Sequence, residues 1–317
     1  MADIAIDIRA VNKRFGATHA VRDLDLAVPT GSLCGFLGPN GAGKSTTIRM
    51  IMSIIYPDSG SIGVLGANAI RKKDRIGYLP EERGLYRKMR VGEFLEYVAK
   101  LKGADRAGIR RRIQAWLERI NLAEVYGHRC QELSKGMQQK VQFLASIIHK
   151  PDLIILDEPF TGLDPVNASL INQLIRELHQ QGRTIIFSTH VLQQAEAICD
   201  RIFLINHGVK LLDATLAEIR NRFDPRTIVV EPADGEADLR GVGGVVEVRP
   251  MGDDGLVEVT LDDQTDPQTT IRAIVEAQPV RRVELRRPTL NDVFVELVMK
   301  DEGEAAAAKA REELRHV

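Results

Sequence analysis

The first two thirds of the chain alternate between short apolar runs and segments with helical spacing, which is the pattern of an α/β domain. The apolar runs predict strands over Ala5 to Val11, Leu24 to Val28, Leu33 to Leu37, Ile76 to Leu79, Leu153 to Leu156, Thr184 to Ser188 and Arg201 to Asn206. Two of them, LIIL and TIIFS, are almost continuously apolar and are bounded by turn residues. We therefore expect these two strands to be buried on both faces of a mainly parallel sheet.

A helical pattern fills the chain between residues 90 and 150. Apolar residues recur three or four positions apart in three segments there, namely VGEFLEYVAKLKG, IRRRIQAWLERI and MQQKVQFLASIIHK. This spacing is typical of amphipathic helices that bury one face. We therefore expect a helical subdomain, over about residues 90–150, inserted between strands of the sheet.

The pattern changes after Phe223 to short strands separated by Gly/Asp turns. The predicted elements are strands over Thr227 to Glu231, Val245 to Arg249, Leu256 to Leu261 and Val280 to Leu285, and helices over Thr269 to Ala277 and Leu290 to Lys300. Their order fits a ferredoxin-like βαββαβ unit followed by one helix, with the first helix of the unit only weakly marked. The predicted division is a first domain over residues 1–222, a small α+β domain over 223–300 and a charged, Ala-rich tail over 301–317. The composition of the tail favours helix, but it has no continuous apolar face, so we expect it to be frayed or mobile.

Composition and charge argue against several classes of protein, including membrane-spanning and secreted proteins. The chain has 317 residues, is 44% hydrophobic and 27% charged, and carries a net charge of -1, so it gives no global electrostatic argument for nucleic acid or anionic lipid. No apolar run approaches the ~20 residues that cross a bilayer. Asp3 and Asp7 do not fit a signal peptide, and three distant cysteines fit a reducing cytosol. Locally, residues 71–112 have a net charge of +8 and residues 231–267 of -9.

The strongest chemical signal is the motif G-x-x-x-x-G-K-[ST] between the apolar LCGFL and the helical TTIRMIMSI. The motif consists of Gly38, Pro39, Asn40, Gly41, Ala42, Gly43, Lys44 and Ser45. Thr46, which follows it, is also a candidate nucleotide-binding residue. Such a loop directs backbone N–H groups and the positive end of a helix at phosphate. Lys44 then reaches the β/γ oxygens of a nucleotide, and the Ser45 hydroxyl is placed for Mg²⁺.

A second signal is LIILDEP, an apolar strand that ends in two carboxylates. Adjacent residues at the end of a strand point to opposite sides. Asp157 can therefore face a metal ion while Glu158 activates the water that attacks the γ-phosphate. In isolation the pair would equally fit a solvated strand end, but the phosphate-binding motif in the same chain favours catalysis.

The third signal is LSKGMQQK, in which Ser134 is a good N-cap for a helix whose N-terminus offers a second anion site. Together with FTGLDP and STH, these motifs make residues 4–215 resemble the ATPase subunit of ATP-binding cassette (ABC) transporters. The resemblance implies a P-loop NTPase cassette: a mainly parallel core sheet, an antiparallel β part and an inserted helical subdomain. The small α+β domain then follows this α/β cassette. It also implies that Ser134, Gly136 and Met137 bind the γ-phosphate held by a second cassette, which pairs head-to-tail as a homodimer.

Three further residues correspond to family positions. Phe15 corresponds to the aromatic that stacks on adenine, and a core phenylalanine is the alternative. His190 corresponds to the histidine that contacts the γ-phosphate, and a hydrogen-bonded core histidine is the alternative. Asp164 corresponds to a loop that communicates between the two ATP sites, and it could instead only cap the helix beginning near Pro165.

The chain departs from the family pattern at three positions. Glu81 stands where the family has a glutamine that reaches Mg²⁺ and the attacking water, and its carboxylate adds negative charge beside Asp157. In the signature, Lys135 replaces glycine and Met137 replaces glutamine. These variants, with GYLPEERGLY and RRPTLNDVFVELV, are similar to the ABC-2-type exporter branch, which includes sodium-exporter and antibiotic-resistance ATPases.

The resemblance implies ATP hydrolysis coupled to export through a separate integral membrane permease. The chain would then be cytoplasmic and peripheral on the inner face of the cell membrane, with no nucleic acid as a partner. The alternative is a soluble ABC ATPase acting on ribosomes or DNA. Such relatives usually have two cassettes or a long coiled-coil insertion, and neither pattern is present in the sequence.

Overall fold

The structure is a computed structural model that describes residues 3–82, 84–105, 107–223, 226–233, 239–251, 255–262, 264–286 and 288–303. The chain divides into two compact units, residues 1–216 and 217–316. Within the described ranges, no helix is both long enough and apolar enough to span a bilayer.

The first unit is built on two sheets. Its strands are β1 (Ile4–Phe15), β2 (Thr18–Pro29), β3 (Leu33–Leu37), β4 (Ser59–Val64), β5 (Ile76–Leu79), β6 (Leu153–Asp157), β7 (Thr184–Thr189), β8 (Arg201–Asn206) and β9 (Val209–Thr215). A six-stranded sheet has the order β5-β6-β7-β3-β8-β9, in which only the edge strand β9 is antiparallel to its neighbour. A three-stranded antiparallel sheet has the order β2-β1-β4. This arrangement confirms the predicted mainly parallel core with an antiparallel part.

The parallel core follows from the sequence. Every residue of β6 and β7 is buried, as expected for strands covered on both faces. The two strands are in register so that Asp157 lies beside Ser188 at their carboxyl ends. In parallel sheets this is the edge at which ligands bind.

Helices pack around this sheet. The first unit contains α1 (Lys44–Ile51), α2 (Val91–Leu101), α3 (Ile109–Arg119), α4 (Lys135–Ile147), α5 (Pro165–Gln180) and α6 (Leu192–Ile198). Helices α2, α3 and α4 form the inserted helical region between β5 and β6, where it was predicted. Helix α4 packs against β5, so the region is tied to the edge of the core sheet.

The strand predictions missed β4 and β9 and made β1 and β2 too short. Residues of β4 and β9 are mostly half-buried or exposed, so these strands lack an apolar run. Strands β1 and β2 continue through polar residues because they pair along almost their whole length. Pairing between distant segments therefore overrode the weak local pattern.

The second unit contains a four-stranded sheet. After α7 (Leu216–Arg222), its elements are β10 (Thr227–Pro232), β11 (Val245–Met251), β12 (Leu256–Leu261), α8 (Pro267–Ala277), β13 (Val280–Leu285) and α9 (Leu290–Glu302). The antiparallel order β11-β12-β10-β13 is that of the predicted ferredoxin-like unit. The expected first helix is not seen among the described residues between β10 and β11, where 234–238 lie outside the description. Of the predicted tail, residues 304–317 also lie outside it.

Gly77 allows β5 and α4 to approach closely. A Cβ atom at this position would lie 2.1 Å from the backbone oxygen of Ser146. We expect Gly77→Ala to lower the free energy of unfolding by about 3 kcal/mol, the upper range for overpacking, because a backbone atom must move. Urea denaturation measures the loss. Gly63→Ala is the matched control, since its Cβ meets no atom closer than 3.8 Å, and an equal loss in both variants would contradict the steric explanation.

Candidate functional site

The loop predicted to bind phosphate, here called the phosphate-binding loop, connects β3 to α1. Two of its glycines are required sterically: a Cβ at Gly38 would lie 2.2 Å from Ile205 O, and one at Gly43 would lie 2.5 Å from Ala20 O. Both glycines also have positive φ angles, of 152° and 104°. The loop therefore takes a path that only glycine allows, and it delivers the chain to the N-terminus of α1 at Lys44.

The Lys44 side chain folds back over this loop. Its Nζ donates hydrogen bonds to Gly38 O at 2.6 Å and to Pro39 O at 3.0 Å. Burial lowers the pKa of Lys44, and the carboxylates of Glu158 and Asp157 oppose that shift. The ammonium group thus lies in a partly dehydrated place where an anion would interact with it strongly.

The loop forms one wall of a cavity of about 510 Å³. Residues 40–46, Glu81 and Glu158 all line it, so the structure brings together half of the site residues predicted from the sequence in this cavity. Six further lining residues were not predicted: Ala17, Thr18, His19, Ala20, Arg22 and His207. Among them Arg22 adds a positive charge to the cavity. No local motif marks them, because they come from the β1–β2 connection, the start of β2 and the β8–β9 turn.

The two carboxylates of the DEP motif diverge as predicted. Asp157 accepts hydrogen bonds from Ser188 and, at 3.3 Å, from Ser45 Oγ. Burial raises the pKa of Asp157, and the two hydrogen bonds, which act to lower it, offset only part of that rise. Glu158 instead lines the cavity, and its Oε1 lies 2.9 Å from His190 Nδ1. This contact favours a donated N–H from His190 and orients the carboxylate of Glu158.

Glu158 has a strained backbone. Its φ angle is +50°, a region that side-chain-bearing residues seldom adopt. Its N–H is nevertheless held by Ser188, at 3.2 Å from both the backbone oxygen and Oγ. Strain maintained in this way is frequent at catalytic positions. Here it separates the directions of two adjacent carboxylates.

Oxygen atoms converge beside Ser45. Its Oγ lies 3.3 Å from Asp157 Oδ1 and 3.4 Å from Glu81 Oε2. Among the described residues, no group of three or more His, Cys, Asp or Glu side chains could hold a metal by itself. Two carboxylates and one hydroxyl are hard oxygen donors that suit Mg²⁺ when nucleotide phosphates complete its coordination. The residues present therefore fit a magnesium–nucleotide complex.

The signature segment begins a helix, as predicted. Ser134 is the N-cap of α4, and its Oγ accepts a hydrogen bond from Met137 N at 3.3 Å. Ser134 and Lys135 are exposed, whereas Gly136 and Met137 are half-buried. Within the described part of the chain, none of the four lines the cavity of the phosphate-binding loop. The structure therefore does not bring the two predicted anion sites of one chain together.

Phe15 and Asp164 are also placed apart from this cavity. The Phe15 ring is 50% exposed, with Lys13 Nζ 5.4 Å from its centroid, and it is not among the described residues that line the cavity. Asp164 is the N-cap of α5 and accepts a hydrogen bond from Asn167 N at 2.9 Å. Its capping role is thus observed, and its role between ATP sites stays a prediction.

The chain matches known protein families and relatives. Residues 21–161 match the family described as ABC transporter, and residues 215–298 match the C-terminal domain described as ATP-binding protein DrrA1-3-like. The chain is 37% identical to the ABC transporter ATP-binding protein YhaQ of Bacillus subtilis (strain 168), over 92% of this chain and 98% of the relative. It is 32% identical to the Nod factor export ATP-binding protein I of Rhizobium sp. (strain N33), over 95% and 99%.

A solved structure shares the architecture of the first unit. It is described as the ATP-binding subunit of an ABC transporter and superposes with a TM-score of 0.65 at 30% identity. The match covers 69% of this chain and 93% of that chain. The fold predicted from the three motifs is thereby confirmed.

Proposed function

The chain belongs to the ABC transporter ATP-binding proteins, and from this membership and the geometry above we propose how it works as the ATPase subunit of a transporter. It binds MgATP in the cavity beside the phosphate-binding loop and pairs with a second copy of itself. The paired subunits drive export through a separate integral membrane permease, which holds them at the cytoplasmic face of the membrane. The similarity to a Nod factor export protein supports export, and no comparison favours an action on ribosomes or DNA.

One observation supports the hydrolytic function: Glu158, which lies 2.9 Å from His190, lines the same cavity as Lys44. Lys44 neutralises phosphate charge, and Glu158 accepts the proton of the attacking water while His190 orients its carboxylate. When bound, Mg²⁺ supplies a Lewis acid that neutralises charge on the β/γ-phosphates. Ser45, Asp157 and Glu81 are the residues that would hold it. The Arg22 guanidinium, which also lines the cavity, adds to the attraction for a polyanion.

The position of the signature residues supports a dimer. Ser134, Gly136 and Met137 do not line the cavity of their own chain among the described residues, which is compatible with the partner-serving role implied by the resemblance of the signature segment to that of the family. The exposed N-terminus of α4 is suited to this task, since its free N–H groups and the Lys135 ammonium attract phosphate. Asp164 would then lie in the loop between the two sites, and Phe15 would contact adenine beside the β1–β2 connection.

We also propose a division of labour between the units. Residues 1–222 form the ATP-binding cassette, with the helical subdomain near residues 90–150, and residues 223–300 form an accessory α+β domain. Residues 301–317 form a charged tail. This accessory unit contains no nucleotide motif.

An exposed aromatic cluster is a suitable contact for the permease. Tyr86 lies in the loop between Glu81 and α2, is 53% exposed, and packs edge-on against Tyr97 with ring centroids 5.6 Å apart. The buried Phe94 ring also packs against Tyr86, with ring centroids 6.1 Å apart. Exposed aromatic groups on a basic surface are typical of protein interfaces. The loop also connects this cluster directly to the proposed magnesium ligand.

Capture experiments test the permease partner. We expect the tagged chain to retain a multi-span membrane protein from detergent-solubilised membranes of its own host. Tyr86→Glu should weaken this capture about tenfold or more, because a charge replaces a central aromatic group, while ATP binding is retained. Val275→Glu, at an exposed position in α8, is the control. Capture that is equal in both variants would contradict this contact.

A further inference from the structure

Glu81 introduces a negative charge at the nucleotide site. The residue follows β5 by two positions, and its Oε2 lies 3.4 Å from the Oγ of Ser45. It lines the cavity together with Glu158. Asp157 Oδ1 is 3.3 Å from the same Ser45 hydroxyl. Two carboxylates thus line the cavity, and a third lies beside the Ser45 hydroxyl.

Lys44 supplies positive charge within the phosphate-binding loop. Lys44 lies over the phosphate-binding loop, and the carboxylates that act on it electrostatically are Glu158, Asp157 and Glu81. Glu81 also interacts electrostatically with Asp157, with the effect of raising the pKa of that residue. The charge of Glu81 therefore acts on both Lys44 and Asp157. A glutamine at this position would keep the oxygen donor and remove the charge.

We propose that Glu81 makes nucleotide binding depend on a divalent cation, so that the chain accepts the Mg²⁺–ATP complex and rejects metal-free ATP. This inference rests on the proposed ATPase function and concerns the form of its substrate. A carboxylate beside a bound phosphate repels it, whereas a cation between the two converts the repulsion into attraction on both sides. A neutral amide would neither repel the metal-free phosphate nor attract the cation with comparable strength. The site would thus bind only the form of ATP that it can hydrolyse.

The test compares binding of AMP-PNP, the imido analogue of ATP, with excess Mg²⁺ and with excess EDTA. Calorimetry on the full chain gives a Kd for each condition, independently of turnover. We expect Glu81→Gln to strengthen metal-free binding about tenfold to thirtyfold, the effect of removing one charge within about 8–11 Å at an effective dielectric constant near 20. Binding with Mg²⁺ should change about threefold or less. The ratio of the Kd measured with EDTA to the Kd measured with Mg²⁺ should therefore fall about tenfold.

Glu82→Gln is the matched control. It removes the same charge from the next residue, which does not line the cavity among the described residues and contacts Gln142 only through its backbone oxygen at 3.1 Å. We expect this control to leave the ratio of Kd values unchanged. Glu81→Ala provides a second variant, since it also removes the charge and should likewise strengthen metal-free binding.

The outcomes separate this inference from the proposed function. If the parent chain binds AMP-PNP and Glu81→Gln does not change the ratio, the role of Glu81 is overturned while nucleotide binding stands. An equal change in Glu82→Gln would also overturn it, because the effect would then be one of general surface charge. Failure of the parent chain to bind AMP-PNP in either condition would contradict the ATPase function and the inference with it.

Discussion

We expect the Glu158→Gln chain to hydrolyse ATP about a thousandfold more slowly than the parent chain, within the range for loss of a general base. Its affinity for ATP should change about threefold or less, because the substitution keeps the shape of the side chain and leaves Lys44 in place. Single-turnover hydrolysis and equilibrium binding measure the two quantities separately. ATP should therefore accumulate uncleaved between paired subunits.

The geometry gives the reason for this expectation. Glu158 lines the cavity and lies 2.9 Å from His190 Nδ1, while the neighbouring Asp157 is turned toward Ser45. A glutamine can accept the same hydrogen bond, but it cannot accept a proton from water at neutral pH. The lost step is thus chemical, and binding is preserved.

Two further variants complete the experiment. Lys44→Ala, unlike Glu158→Gln, should weaken ATP binding, because it removes the ammonium group that lies over the loop. Glu82→Gln, a carboxylate change outside the described cavity lining, should hydrolyse ATP at the parent rate. Parent-like hydrolysis by Glu158→Gln would show that another group is the base.

The sequence predicted the parts of the site that depend on local chemistry. The glycines at positions 38 and 43 are required because other backbone segments approach them closely. This requirement appears in the sequence as a recognisable glycine motif. Strand β6 is apolar at each buried position before Asp157, so both its burial and its end were predictable. Ser134 was predicted as an N-cap because this role involves only residues three positions apart.

The rest of the site depends on contacts between distant segments. His19 and Arg22 reach the cavity through a β1–β2 pairing whose register shifts near Val11 and Lys13, and no local pattern encodes such shifts. The proximity of Glu81 to Ser45 spans 36 positions in sequence. The sequence identified Glu81 as an unusual residue, but only the structure shows which hydroxyl it contacts.

The strongest test of a shared site combines two defective chains. Ser134→Arg should bind ATP at its own loop, because the substituted residue is exposed and does not line that cavity among the described residues. It should nevertheless fail in ATP-driven dimerisation and hydrolysis. The arginine removes the Oγ that accepts from Met137 N, and its bulk keeps the N-terminus of α4 from the γ-phosphate of a partner. Gln181→Arg, which adds the same cation at the exposed C-cap of α5, should behave as the parent chain.

Mixing Ser134→Arg with Lys44→Ala chains should then restore part of the association. In the mixed dimer one composite site contains both defects, while the other pairs an unchanged phosphate-binding loop with an unchanged signature helix. Sedimentation with ATP, each chain carrying a different fluorophore, measures the mixed species directly. Because each variant alone offers no complete site, recovery on mixing requires that the two halves come from different chains. A mixture that associates no better than either variant alone, with both chains folded and Ser134→Arg still binding ATP, would contradict head-to-tail sharing, and normal dimerisation and hydrolysis by Ser134→Arg alone would refute it.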